Sequence, residues 1–131
     1  MRVTTDFTAQ GLRPLRRMHA SVGEELHFER QGKQTVVVSV LGIQGKHTII
    51  NIVGAEILNA IPEDGVKQVE GMPDTVRKVR SNTSLNLGDG LGLLVRRENS
   101  YKATILPLAP VGRERDFYVR GPLRQNTENN A

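Results

Sequence analysis

The sequence contains no cysteine and no tryptophan, and only 4% of its residues are aromatic. A chain without cysteine forms no disulfide, no thiolate zinc site and no cysteine nucleophile. No apolar run approaches the roughly 18 residues that cross a bilayer, and the first residues lack the basic-then-apolar pattern of a secretory signal. The sequence therefore predicts a soluble, unsecreted protein and excludes several classes of enzyme.

The length and composition indicate one ordinary domain. With 131 residues, 37% hydrophobic and 24% charged, the chain is long enough to bury a core and too short for two comfortable domains. Its composition is neither collagen-like nor typical of disorder. We expect a single folded domain with appendages.

The clearest strand pattern lies in the first half of the chain. Residues 33–41 and 47–53 are rich in β-branched side chains and are separated by Gly42 and Gly45, which predicts a hairpin. Residues 25–30 alternate polar and apolar before a Gly32 turn, which adds a third strand to a meander.

A similar pattern of strands and turns occurs later in the chain. Residues 84–87, 91–97, 101–108 and 116–120 are strand-like and are separated by turn signals. Turn signals at intervals of about 8–12 residues are typical of antiparallel all-β domains. The predicted fold class is therefore all-β, a small antiparallel β-barrel or sandwich with a long central loop and extended N- and C-terminal arms.

The predicted boundaries follow from the segments that do not fit strands. Residues 1–20 are expected to be an N-terminal arm, since Gly11 and Pro14 interrupt any helix there. Residues 21–120 form the β-domain, residues 54–82 are a long loop excursion within it, and residues 121–131 are a polar tail. Within the excursion, the spacing of Val76 and Val79 fits one helical turn, an exposed strand or a loop.

The usual signatures of catalysis and cofactor binding are missing. His19, His27 and His47 lack the close spacing of zinc ligands. The glycines at 42 and 45 are too close for a phosphate-binding loop, and those at 88, 90 and 92 precede no helix. We predict a non-enzymatic protein with no catalytic residue, no metal and no cofactor.

The net charge of +4 comes from the second half of the chain. Residues 1–65 hold seven basic and seven acidic side chains, whereas residues 66–131 hold eleven and seven. The candidate DNA-facing or partner-facing residues are Arg77, Lys78, Arg80, Arg96 and Arg97. Such clusters attract phosphate, and solvated strand faces explain them equally well.

One resemblance covers about a quarter of the chain. The sequence SVGEEL at residues 21–26, with VVVSVLGIQGKHTIINI at residues 36–52, resembles the carbon storage regulator family. Membership would imply a small β-dimer that binds mRNA hairpins and regulates translation. The arginine with which that family contacts RNA has no counterpart in residues 54–60.

A second resemblance spans more of the chain. The order of features is similar to that in the head-to-tail joining and head-completion proteins of tailed bacteriophages: residues 22–26, the loop 54–82, then residues 87–91, 101–105 and 117–120. The resemblance implies a structural virion component that forms a homo-oligomeric ring at the head-to-tail connector, or neck.

This second resemblance also implies partners and a location. The neighbours would be virion proteins on the portal, adaptor or tail side, with non-specific DNA contact and no membrane contact. The protein would be assembled in the host cytoplasm and reside in the virion. Segments that cannot fold alone would gain order across subunits, because association offsets their entropy.

Overall fold

A computed structural model describes residues 11–54, 59–60, 65–88 and 90–125, which form an all-β sandwich. This confirms the predicted fold class. The strands within these residues are β1 (Leu12–Pro14), β2 (Met18–Ser21), β3 (Glu24–Arg30), β4 (Lys33–Gln44), β5 (His47–Val53), β6 (Asn59–Ala60), β7 (Val66–Gln68), β8 (Val76–Arg80), β9 (Thr83–Gly88), β10 (Leu91–Arg97), β11 (Lys102–Pro110) and β12 (Phe117–Arg124). A 3-10 helix, Glu114–Asp116, precedes β12.

The first of the two antiparallel sheets, called sheet A, has the order β1-β11-β10-β9-β6, with β2 also paired to β11. Strands β9, β10 and β11 confirm the strands expected in the second half of the chain. They are consecutive in sequence, so their pairing needs only short turns.

The second sheet, called sheet B, has the order β12-β3-β4-β5-β8-β7. The predicted meander is its centre. Strand β4 pairs with β5 so that Val38 faces Ile52 and Val40 faces Ile50, and β3 pairs with the other side of β4. The register therefore places these four β-branched residues on one face.

The core lies between the two sheets. Alternate residues of each strand point inward, and β10 contacts β5 and β8 across the interface. The largest fully buried side chains are Phe28, Leu26, Ile50, Ile52, Leu85, Leu93, Ile105, Leu108, Val38, Val40, Val79 and Val95. Most of these join one cluster drawn from both sheets, so the two sheets share one hydrophobic core.

The N-terminal arm requires a correction. Residues 12–14 and 18–21 are strands β1 and β2, which pair with β11. Met18 is 2% exposed and Ala20 is fully buried, because alternate residues of β2 face the core. Burial of these side chains accounts for the order of residues 11–20, and residues 1–10 lie outside the described part of the chain.

Parts of the central excursion are also built into the sandwich. Of residues 54–82, β6 joins sheet A, and β7 and β8 join sheet B. Val76 and Val79, whose spacing was compatible with a helical turn, a strand or a loop, belong to strand β8. Both are buried. Residues 55–58 and 61–64 lie outside the described residues.

The last strand extends into the segment that was expected to be a C-terminal tail. Residues 121–124 continue β12, and Leu123 and Arg124 pair with β3 after a bulge. The polar residues 126–131 of the expected tail are outside the described part of the chain. The described strands therefore extend from Leu12 to Arg124.

Candidate functional site

A basic surface, here called the lysine patch, lies on the outer face of sheet B. It consists of Lys67, Lys78 and Arg80 around His47. Lys78 is opposite Lys67 in the β7–β8 pair, and Arg80 is opposite His47 in the β5–β8 pair. These positions alternate with the inward-facing Val79 and therefore share the outer face.

The lysine patch is electrostatically uncompensated. Within the described residues, none of its three cationic side chains forms a salt bridge. Burial lowers the pKa of His47, and the nearby charges of Lys78, Lys67 and Arg80 lower it further. The part of this shift that comes from the three cations indicates a locally positive potential.

Arg77 is not part of this patch, although it is adjacent to Lys78 in sequence. Consecutive residues of a strand point to opposite faces. The guanidinium of Arg77 donates to the carbonyl oxygens of Asp74 and Val76, the second at 3.2 Å. Arg77 therefore stabilises the connection that leads into β8.

The other two predicted residues lie on sheet A. Arg96 is on its outer face, opposite Thr104 of β11. Arg97 points to the other side of β10, at the end of the strand, where its backbone N–H donates to Ser81 Oγ at 3.0 Å. The five predicted residues thus do not form one surface: two lie on the outer face of sheet B, one on the outer face of sheet A, and Arg77 and Arg97 point away from both of these faces.

Arg96 belongs to a small cleft on the outer face of sheet A. The cleft has a volume of about 60 Å³ and is lined by Arg17, Asn82, Leu94, Arg96, Thr104 and Leu106. Its apolar floor is the pair Leu94 and Leu106, which face each other across β10 and β11. We call this site the arginine cleft.

The remaining walls of the arginine cleft come from connections. Arg17 lies between β1 and β2, and Asn82 lies between β8 and β9 with φ of 70°. The Asn82 N–H donates to the Val95 carbonyl at 2.7 Å, which fixes this left-handed turn. Among the described residues, neither Arg17 nor Arg96 has an ion-pair partner.

A polar network borders the cleft. The carboxylate of Glu98 accepts a hydrogen bond from the Thr104 hydroxyl and contacts Nδ1 of His19. Hydrogen bonds from Thr104 and then from His19 lower the pKa of Glu98. Because Glu98 already has these partners, it does not neutralise the two arginines in the cleft.

Sequence reasoning found Arg96 through its charge and missed Arg17, Asn82 and Thr104. These residues come from four separate segments, and only the pairing of β2, β10 and β11 brings them together. The positive φ of Asn82 is the one feature that the local sequence could have indicated, since asparagine tolerates positive φ better than most residues.

Comparison of the chain with protein-family models, with curated proteins and with solved structures finds no match. Across the described ranges, no three histidine, aspartate or glutamate side chains are grouped as metal ligands. In the same ranges, no helix has the length and apolar character needed to cross a membrane.

Proposed function

We propose that this protein is a structural, non-enzymatic component of a tailed-bacteriophage virion, assembled as an oligomeric ring at the head-to-tail connector. The observation that carries the proposal is the chemical difference between the two outer faces of the sandwich. One face has the arginine cleft with its apolar floor, and the other has the lysine patch. A ring subunit that also contacts DNA needs separate surfaces for its neighbours and for phosphate, and the two outer faces of this chain differ in this way.

The edges of the sheets favour contact through faces and turns. Edge strands β1 and β7 have three residues each and β6 has two. The pairing of β12 is interrupted around Pro122. Short and bulged edges are poor templates for pairing with another chain.

The lysine patch suits the DNA contact of a connector. Three cations on one face of a sheet, with no ion pair in the described residues, attract phosphate without reading sequence. Lining the channel of a ring with such patches would add their attraction for DNA. The proposal therefore assigns Lys67, Lys78 and Arg80 to the DNA side of each subunit.

The experiment uses the purified full chain at increasing concentration. Native mass spectrometry and electron microscopy are expected to show one closed oligomer. Fluorescence anisotropy with duplex DNA is expected to show sequence-independent binding that weakens steeply as salt rises. The variant Lys78→Gln with Arg80→Gln should lose at least ten-fold in DNA affinity, whereas Lys33→Gln, an exposed lysine outside the patch, should change it less than two-fold.

A monomer at every concentration would contradict the ring. Equal effects of the patch variant and of Lys33→Gln would contradict the DNA contact.

A second candidate is an RNA-binding regulator. The observation that favours it is the meander β3-β4-β5, since it is formed by the residues that resemble the carbon storage regulator family. This candidate predicts a stable dimer that prefers RNA hairpins to duplex DNA. Such a result in the same experiment would replace the virion proposal.

A further inference from the structure

We infer that the connection between β7 and β8 of one copy, residues 69–75, docks in the arginine cleft of the next copy. We call residues 69–75 the acidic turn. The inference rests on the proposed ring and deepens it, because it names the contact that joins neighbouring subunits. It follows from the complementarity between the guanidinium groups and apolar floor of the cleft and the carboxylates and apolar side chain of the acidic turn.

The arginine cleft suits a ligand that carries both carboxylates and an apolar group. Arg17 and Arg96 present two guanidinium groups with no ion pair in the described part of the chain. Guanidinium groups bind carboxylates in bidentate geometry. The floor of Leu94 and Leu106 remains partly exposed, so an apolar side chain between two carboxylates would complete the cleft.

The acidic turn has this composition. Glu70 and Asp74 are both exposed and flank Met72, which is 45% exposed. The turn is held by the N–H of Met72, which donates to the Val69 carbonyl at 3.1 Å. Methionine is unbranched and adapts to irregular apolar surfaces.

The carboxylates of the acidic turn have little competition from their own chain. Glu70 forms no salt bridge within the described residues. Among the described residues, the Asp74 carboxylate accepts only a long hydrogen bond, at 3.4 Å, from the side chain of Gln68, while the Arg77 guanidinium binds the backbone carbonyl of Asp74. Both carboxylates therefore remain able to bind the guanidinium groups of another molecule.

The two surfaces of one chain do not meet each other. Strand β8 runs from the acidic turn to the connection that supplies Asn82 of the cleft. Its five residues span roughly 17 Å at about 3.3 Å per residue. Turn and cleft thus lie toward opposite ends of β8, so their contact joins different copies head to tail, and repetition of such a contact builds a ring when the rotation between copies closes.

The first test uses the absence of native cysteine. A chain with Met72→Cys and Leu106→Cys should form, under mild oxidation, a ladder of disulfide-linked oligomers ending at the ring size. Each single variant should give dimers at most. The matched control pairs Leu106→Cys with Tyr118→Cys, because Tyr118 is 60% exposed but lies outside the acidic turn. Linkage should be at least ten-fold faster in the first pair.

The second test exchanges the charges. Arg17→Glu with Arg96→Glu should weaken self-association at least ten-fold, measured by sedimentation, without altering the circular dichroism spectrum. Adding Glu70→Arg and Asp74→Arg to the same chain should restore association to within about three-fold of the original. A role of the arginines in folding alone would not permit this rescue.

The outcomes separate this inference from the proposed ring. Rings that form in the original protein without preferential linkage or charge rescue would overturn the docking and leave the ring standing. A protein that stays monomeric and does not link would overturn both. If Arg17→Glu with Arg96→Glu abolishes DNA binding and leaves association unchanged, the cleft binds phosphate and the docking is wrong.

Discussion

The arginine cleft and the lysine patch differ in how the chain builds them. The three cations of the lysine patch come from one hairpin, β7–β8, whose register places them on one face, and the pairing of β8 with β5 adds His47. The arginine cleft needs β2, β10, β11 and two connections at once. A surface formed by neighbouring strands requires correct local register, whereas a surface formed by distant segments requires the complete fold.

The difference predicts which substitutions damage which surface. The cleft depends on residues 12–21 pairing with β11. The patch depends on the pairing of β5 with β8. Substitutions at these two places should therefore affect the two surfaces unequally, and equal effects would contradict the comparison.

The largest expected effect is that of Met18→Ala. Met18 is 2% exposed in the shared core, and truncation of a buried methionine costs about 2–5 kcal/mol. Chemical denaturation should show this loss of stability. Before global unfolding, hydrogen exchange should rise more at the Leu15 amide, which donates to the Pro107 carbonyl oxygen at 2.8 Å, than at the Lys78 amide.

The control for this prediction is Arg16→Ala, an exposed neighbour. Substitutions at exposed sites usually change stability by less than about 0.5 kcal/mol. If Met18→Ala changes the free energy of unfolding as little as Arg16→Ala does, β2 does not stabilise the sandwich. Residues 11–20 would then behave as the arm that the sequence predicted.

A smaller effect, confined to sheet B, is expected for Gly54→Ala. Gly54 has φ of +93°, and an added Cβ would lie 2.2 Å from the Thr35 carbonyl oxygen. The strained backbone costs about 1–3 kcal/mol. Denaturation should show this loss, and proton NMR shifts should concentrate in β4, β5 and the patch while leaving the cleft unchanged.

Gly42→Ala is the matched control for this change. Gly42 lies in the same strand pair, has no positive φ, and an added Cβ meets nothing within 4 Å. Shifts of similar size in the cleft and in the patch of Gly54→Ala would mean that the two surfaces are not independent.

The same contrast explains how far the sequence predicted the molecule. The meander was predictable because residues 33–53 combine β-branched runs with glycine turns. The order of residues 11–20 was not, since Met18 and Ala20 are buried only by pairing with β11 near the other end of the chain. The low helix propensity of Gly11 and Pro14 predicted an irregular arm. Tertiary packing overrode this local preference.

The candidate sites follow the same rule. Lys78 and Arg80 are two residues apart, so strand periodicity alone places them on one face. Arg17 and Arg96 meet only across β11, and no pattern in one sequence encodes that pairing. Charge alone identified Arg96 and gave no reason to join it with Arg17.

The smallest expected effects concern the response of the two surfaces to acid. Burial and the charges of Lys78, Lys67 and Arg80 lower the pKa of His47 in the patch. Hydrogen bonds from Thr104 and His19 lower the pKa of Glu98 beside the cleft. Both groups therefore contribute stability that is present above their unfolded pKa values, of about 6.5 for histidine and 4.3 for glutamate, and that is lost as the pH falls toward the folded values.

The patch should thus respond to acid before the cleft does. In NMR titrations His47 should protonate below the pH typical of a free histidine, and Glu98 below that of a free glutamate. Lys78→Gln should raise the pKa of His47 and leave Glu98 unchanged, whereas Thr104→Val should raise the pKa of Glu98 and leave His47 unchanged. Thr35→Val, a threonine that contacts neither group, is the control. A shift of both groups by either substitution would show that the two faces are electrostatically coupled through the sandwich, since independent surfaces titrate independently.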